Sequence, residues 1–92
     1  MDESTYRAKL LEQGYAEPVL VEVSPNKLLD EHTHDFSSFI YMLAGEITVK
    51  TSEASTTCRT GDTFSLEQGT VHSEWTGAEG AKLLSGRKRI SP

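Results

Sequence analysis

Three histidines are the residues in this 92-residue sequence best suited to metal chemistry. His32 and His34 lie two residues apart, and His72 lies in a later segment. Because side chains two residues apart on a β-strand point to the same face, the first pair would present both imidazoles together. Three neutral imidazoles that converge can bind a divalent transition metal and leave positions open for water, substrate or dioxygen. Taken alone, a His-x-His pair is also typical of surface or core histidines, so both interpretations stay open.

Glu74 is the carboxylate most relevant to the same chemistry. On a strand that begins at His72, the period of two places His72, Glu74 and Thr76 on one face. At that spacing the Cα atoms of Glu74 and His72 are about 6.5 to 7 Å apart. The carboxylate could ligate a metal, orient a histidine or act as the catalytic acid or base, and it could equally be a hydrated side chain.

Short strands are the elements that must position these residues. Residues 6–13 predict a helix of about two turns, which Ser4 or Thr5 can cap and Gly14 can end. After Pro18 the pattern changes to short segments rich in β-branched or aromatic residues, separated by turn residues. The predicted strands are 19–23, 27–33, 39–44, 47–51, 56–59, 63–66, 72–76 and 81–85.

Two glycine-containing segments are predicted to connect neighbouring strands. Residues 44–46 read as a tight hairpin and residues 77–80 as a longer turn. The length predicts one domain over residues 1–92, with residues 1–16 forming the helix and a linker and residues 17–92 forming the barrel. The fold class is all-β, an antiparallel sandwich or barrel with one short N-terminal helix.

Charge and composition exclude several classes of function. Nine Lys and Arg against 14 Asp and Glu give a formal charge of -5, which repels phosphate backbones and anionic lipids, so neither nucleic acid nor a membrane is predicted as a partner. The longest apolar run, residues 39–44, is far shorter than the roughly 20 residues of a membrane span. Cys58 is the single cysteine, so no disulfide can form within the chain and the cytoplasm is the default compartment. The basic run Arg87-Lys88-Arg89 is either an anion clamp or a solvated strand end.

Both histidine segments resemble the two motifs of the cupin superfamily. The first motif, G-x5-H-x-H-x3,4-E-x6-G, is matched by His32, His34 and Gly45. The second, G-x5-P-x-G-x2-H-x3-N, is matched by Gly61, Gly69 and His72. The sequence departs from these motifs at four positions: Asn26 for Gly, Ser38 for Glu, Glu67 for Pro and Thr76 for Asn.

The resemblance implies a double-stranded β-helix (jelly-roll) barrel, with one divalent transition metal (Fe, Mn, Ni, Cu or Zn) in its mouth and frequently a homodimer. His32, His34 and His72 would be the metal ligands. Ser38 is the consequential departure, because a serine hydroxyl is a poor ligand for these ions and the usual carboxylate is missing. Three-histidine sites of this kind occur among cupins, in thiol dioxygenases and related iron enzymes.

If the position of Ser38 faces inward as in the family, the strand alternation places Ser38, Ile40 and Met42 inside the barrel. Together with Thr76 they are the predicted pocket residues. Tyr41 and Trp75 would face outward and could form a contact with a second subunit. Three functions are compatible with this sequence. The first is a metal-dependent enzyme, such as a dioxygenase or isomerase, that acts on a small molecule. The second is a non-catalytic module that binds or senses a small molecule, and the third is a metal-free structural barrel.

Overall fold

The computed structural model describes residues 2–89 and is built mainly of antiparallel strands. It confirms the predicted double-stranded β-helix barrel with one short N-terminal helix. Within residues 2–89, no helix combines the length and the apolar character needed to cross a membrane. The elements are α1 (Glu3–Glu12), β1 (Val19–Val23), β2 (Leu28–His32), β3 (Ser37–Lys50), β4 (Ser55–Arg59), β5 (Thr63–Leu66) and β6 (His72–Lys88).

Two long strands, β3 and β6, form the frame of the barrel. They pair antiparallel from Ser37 opposite Lys88 to Lys50 opposite Ser73. Strands β1 and β2 pair with different parts of β6, and β4 and β5 pair with different parts of β3. Each long strand therefore contributes to both ends of the barrel, and the short strands complete its wall.

The hairpin predicted at residues 44–46 and the turn predicted at residues 77–80 are wrong. Both segments lie inside long strands. The predicted strands 39–44 and 47–51 are parts of the single strand β3, and the predicted strands 72–76 and 81–85 are parts of β6. Gly45 has φ +75° and Gly80 has φ +69°, and the β3–β6 register shifts on both sides of Gly45. A Cβ atom on Gly45 would collide with the carbonyl group of Gly80. These glycines therefore lie at bends in continuous strands. In the sequence, a glycine at such a bend looks the same as a glycine in a turn, which is why turns were predicted here.

Side chains of β3 alternate between two cores, as the period of two predicts. The inner core contains Met42, Ile47, Cys58, Ala81 and Leu83. The outer core lies under α1 and contains Tyr6, Leu10, Phe39 and Leu84. Helix α1 buries only Tyr6 and Leu10, so it acts as a small cover on the outside of the barrel.

Two details near α1 differ from the sequence predictions. The N-cap is Asp2 rather than Ser4 or Thr5, and its carboxylate accepts a hydrogen bond of 2.8 Å from the Thr5 backbone N–H. That hydrogen bond lowers the pKa of Asp2. Tyr41 does not contribute to an exposed patch, because its ring stacks on Tyr6 with the ring centroids 5.3 Å apart. Trp75 does face outward, as predicted, and is 37% exposed.

Candidate metal centre

The ends of two paired strands bring the three histidines together. His32 is the last residue of β2 and is the register partner of His72, the first residue of β6. His34 follows two residues after β2, in the connection to β3. The ring centroids of His32 and His72 are 4.3 Å apart, and His34 lies 4.9 Å from His32 and 5.2 Å from His72. The three side chains therefore form one cluster.

Backbone carbonyl groups fix the orientation of two of these rings. Nδ1 of His32 lies 2.6 Å from the carbonyl oxygen of Asp30, and Nδ1 of His72 lies 2.9 Å from that of Thr70. Because a carbonyl oxygen can only accept, each Nδ1 must carry the proton in these hydrogen bonds. In each neutral ring this leaves Nε2 with a free lone pair, the usual arrangement for a metal-binding histidine.

Protonation of the cluster is disfavoured at His34. Burial lowers the pKa of His34, and the nearby His32, His72 and Arg87 lower it further. A neutral imidazole is the form that binds a metal ion, so this environment favours the ligand form. The ring of His34 also stacks on Phe36, with the centroids 4.8 Å apart.

The donor set and its spacing suit a metal ion. One nitrogen from each of His32, His34 and His72 lies within 4.8 Å of the other two. Two nitrogens that bind one ion at about 2.1 Å are at most about 4.2 Å apart, so a small rotation of the rings brings all three onto one ion. These three histidines could hold a divalent transition metal with coordination positions left open.

Glu74 lies beside the cluster rather than within it. Its Oε1 is 3.6 Å from Nε2 of His32, the nitrogen that faces away from the hydrogen bond to Asp30. Glu74 shares a strand face with His72, as the alternation predicts, and also lines the adjoining cavity. A carboxylate at this place can reach a ligand or water bound near Nε2 of His32 and can exchange a proton with it.

A cavity of about 120 Å³ extends from the histidines into the barrel. Ile47 and Leu83 belong to both its wall and the inner core, so the core forms part of its surface. The polar residues in its lining are His34, His72, Glu74, Ser38, Ser85 and Arg87. The apolar residues are Val21, Val23, Leu29, Phe36, Ile40, Ile47, Val49, Phe64, Leu66 and Leu83.

The four predicted pocket residues occupy different places. Ser38 and Ile40 line the cavity. Met42 is fully buried in the inner core and lies outside the described lining. Thr76 is buried too, and its hydroxyl donates to the Ser24 carbonyl oxygen and accepts a 3.0 Å hydrogen bond from the Lys27 N–H. Through these two hydrogen bonds Thr76 stabilises the segment between β1 and β2.

Sequence reasoning did not place Arg87 in this site. On β6, residues Leu83, Ser85 and Arg87 follow the period of two and all line the cavity. The predicted strand ended at residue 85, so the alternation was not extended to Arg87. Continuing the alternation through the basic run would have identified it.

Known proteins resemble this chain in both sequence and fold. A family sequence model described as "Cupin domain" matches residues 19–86, which include β1, the three histidines and most of β6. The chain belongs to the cupin superfamily. No curated protein sequence matches this cupin.

Solved structures support the fold assignment. KdgF from Halomonas sp. is 16% identical, with a TM-score of 0.68 over 80% of this cupin and 68% of that chain. TT1209 from Thermus thermophilus is 23% identical, with a TM-score of 0.67 over 80% of this cupin and 75% of that chain. The cupin domain of Cnp3 from Schizosaccharomyces pombe is 16% identical, with a TM-score of 0.69 over 77% of this cupin. The alignment spans only 50% of that Cnp3 chain.

Proposed function

We propose that this cupin binds one divalent transition metal ion through His32, His34 and His72 and acts on a small organic molecule in the adjoining cavity. The observation that carries the proposal is the cluster itself. Its nitrogens lie within 4.8 Å of one another, and carbonyl groups orient two of the rings with Nε2 free. Fe, Mn, Ni, Cu and Zn all suit imidazole ligands.

Three-histidine dioxygenase chemistry, or a related metal-dependent reaction such as isomerisation, is the catalytic class we propose. A bound metal ion would polarise a substrate or activate water or dioxygen. The cavity residues would hold the substrate and exclude bulk water, and Glu74 would be the catalytic residue that takes or gives a proton at its carboxylate. The 3.6 Å distance from Glu74 Oε1 to His32 Nε2 supports this role.

Metal uptake is the experiment that tests the proposal. The purified protein is reconstituted separately with each of the five metals, dialysed and subjected to elemental analysis. We expect about one ion per chain for at least one metal. Less than about a tenth of an ion per chain with every metal would overturn the proposal.

A matched pair of variants assigns the uptake to the histidines. In His72→Asn the side-chain amide can still donate to the Thr70 carbonyl oxygen, but Nε2 is lost, so metal affinity should fall about tenfold or more. Thr33→Ala changes an exposed side chain between two of the histidines and should leave metal affinity unchanged. Equal affinity in both variants would exclude His72 as a ligand.

The alternative function is binding or sensing without turnover, which the same cavity would permit. The two are separated by following a small molecule that binds the metal-loaded protein. Conversion of the molecule that depends on Glu74 supports an enzyme. Stoichiometric binding with no product after many hours supports a sensing module.

We also propose that this cupin is a homodimer whose second copy covers an apolar strip on the outer face. Leu28 and Trp75 are register partners on β2 and β6 and are 58% and 37% exposed. Sedimentation equilibrium at micromolar concentration should give twice the chain mass of 10.2 kDa. Trp75→Ser should shift the protein toward monomer, whereas Leu11→Ser, which changes an exposed leucine on α1, should not. A monomer mass for the wild type would contradict the dimer.

The cytoplasm is the compartment that we propose for this cupin. Cys58 is a buried free thiol, and chains that rely on no disulfide are typical of reducing compartments. Immunodetection of the tagged full-length protein in fractionated cells tests the location, and recovery outside the cytoplasmic fraction would contradict it.

A further inference from the structure

Arg87 and Ser38 stand opposite each other in the wall of the cavity. They are direct register partners in the β3–β6 ladder, and both line the cavity. The guanidinium of Arg87 lies 4.8 Å from the ring centroid of Phe36, and its Nε is 3.4 Å from the Ser85 hydroxyl. Arg87 is therefore an exposed residue whose side chain contacts an aromatic ring and a serine of the cavity lining.

The charge of Arg87 is not balanced within the described residues. Arg7, Arg59 and Arg89 each pair with a carboxylate in residues 2–89. No described carboxylate lies within ion-pair distance of Arg87. Its partners are the Phe36 ring and the Ser85 hydroxyl, and they leave guanidinium N–H groups available to an anion.

The serine at position 38 leaves the positive charge of Arg87 without a carboxylate opposite it. It occupies the position at which the motif resemblance expects a carboxylate, and its neighbour across the strands is a cation. Glu74 is the acidic residue of the described lining and Arg87 is the permanently charged basic one. With a divalent ion on the histidines, the site would carry about two excess positive charges, which an anionic ligand would reduce.

We propose that the ligand of this site is a small monocarboxylic acid, whose carboxylate binds Arg87 and Ser38 and whose apolar body occupies the barrel cavity. The proposal rests on the proposed function and names the substrate class for the same cavity. The planar fork of a guanidinium matches a carboxylate with two parallel hydrogen bonds. The hydroxyl of Ser38 can add a third donor.

The cavity limits the size and polarity of the rest of the molecule. Ile40, Phe64 and Leu83 are among its apolar lining residues. An enclosed apolar cavity of about 150 Å³ accommodates benzene, with its six heavy atoms. The volume of about 120 Å³ is of the same order, so it suits a small acid of about six heavy atoms, with about three carbon atoms beyond the carboxylate.

Butanoate and its neutral isostere butanamide are the probes that test the proposal. Amide resonances of ¹⁵N-labelled protein are followed during titration of the metal-free and the zinc-loaded forms with each compound. We expect butanoate to shift the resonances of cavity residues in both forms and to bind about tenfold or more tightly than butanamide, because hydrogen bonds to a charged group are the stronger ones. Equal affinity for the two compounds, or no binding of butanoate, would overturn the proposal.

Two arginine variants locate the interaction in the metal-free protein. Arg87→Gln should weaken butanoate binding about tenfold or more. Arg87 and Arg89 are both exposed, but Arg89 pairs with Asp35 at 2.8 Å and is not among the described lining residues of the cavity. The affinity of Arg89→Gln should therefore stay within about twofold of the wild type. Unchanged affinity in Arg87→Gln would overturn the proposal. The comparison of the two compounds needs no variant, so it decides the matter even if Arg87→Gln misfolds.

The same titrations separate this proposal from the proposed function. If the histidines take up no metal but the metal-free protein still prefers butanoate through Arg87, the metal function fails and the carboxylate site stands. If metal uptake is normal but butanoate and butanamide bind equally, the carboxylate site fails and the metal function stands.

Discussion

Removing one hydroxyl group, in Tyr6→Phe, should destabilise the whole barrel. Tyr6 is fully buried, and its hydroxyl donates a 2.5 Å hydrogen bond to the Phe39 carbonyl oxygen and accepts a 3.2 Å hydrogen bond from the Gly86 N–H. Phe39 and Gly86 are register partners next to the Ser38–Arg87 pair. Helix α1 therefore joins the two long strands next to two residues that line the cavity.

The expected loss follows from these two hydrogen bonds. Each contributes about 1 kcal/mol net, and a buried group left without a partner costs about 1 to 3 kcal/mol. Because Phe39 and Gly86 are both buried, the free energy of unfolding should fall by about 2 to 3 kcal/mol. For a domain of this size, that change lowers Tm by roughly 10 to 20 °C.

Urea denaturation of the metal-free protein, followed by circular dichroism, measures the effect. Tyr15→Phe is the matched control, because its ring contacts with Phe39 and Lys88 are retained by phenylalanine. We expect the control to lose less than about 0.5 kcal/mol. The reasoning would be refuted if Tyr6→Phe lost no more stability than Tyr15→Phe.

Three further predictions concern the site and the inner core. Ser38→Glu should tighten metal binding, because it restores a carboxylate at the family's ligand position; weaker uptake by a folded variant would mean that position 38 does not face the metal. Glu74→Gln should abolish turnover and keep the metal, because Glu74 lies outside the histidine cluster; parallel loss of metal would make it a ligand. Cys58 should resist a thiol reagent at pH 8 in the folded protein and react fully in denaturant, because burial raises the pKa of its thiol and Asp62 raises it further. Rapid modification of the folded protein would contradict that burial.

The sequence predicted the barrel better than the course of its strands. Alternation along β3 correctly separated the cavity face of Ser38 and Ile40 from the helix-covered face of Phe39. Glycine signals were misleading at Gly45 and Gly80, because a glycine with positive φ serves a bend inside a strand as well as a turn. Local sequence does not distinguish the two uses.

Contacts between distant segments were the hardest features to predict. Tyr6 of α1 stacks on Tyr41, and Arg87 lies opposite Ser38. Both contacts depend on the β3–β6 register, which no local sequence pattern specifies. For the same reason the sequence did not show that Met42 belongs to the inner core. It also did not show that the Thr76 hydroxyl forms hydrogen bonds with backbone groups. The histidine cluster was easier, because motif spacing encodes which strand ends meet. The metal, the catalytic role of Glu74 and the homodimer stay predictions.

X-ray absorption spectroscopy of the zinc-loaded protein tests the central claim most directly, because it reports the atoms bound to the metal. We expect a first shell of nitrogen and oxygen atoms at about 2.0 to 2.1 Å, with the outer-shell scattering of three imidazoles. The His72→Asn variant should lose one imidazole contribution or the metal itself. A first shell with two imidazoles or fewer, or with a sulfur at about 2.3 Å, would contradict a metal centre formed by His32, His34 and His72.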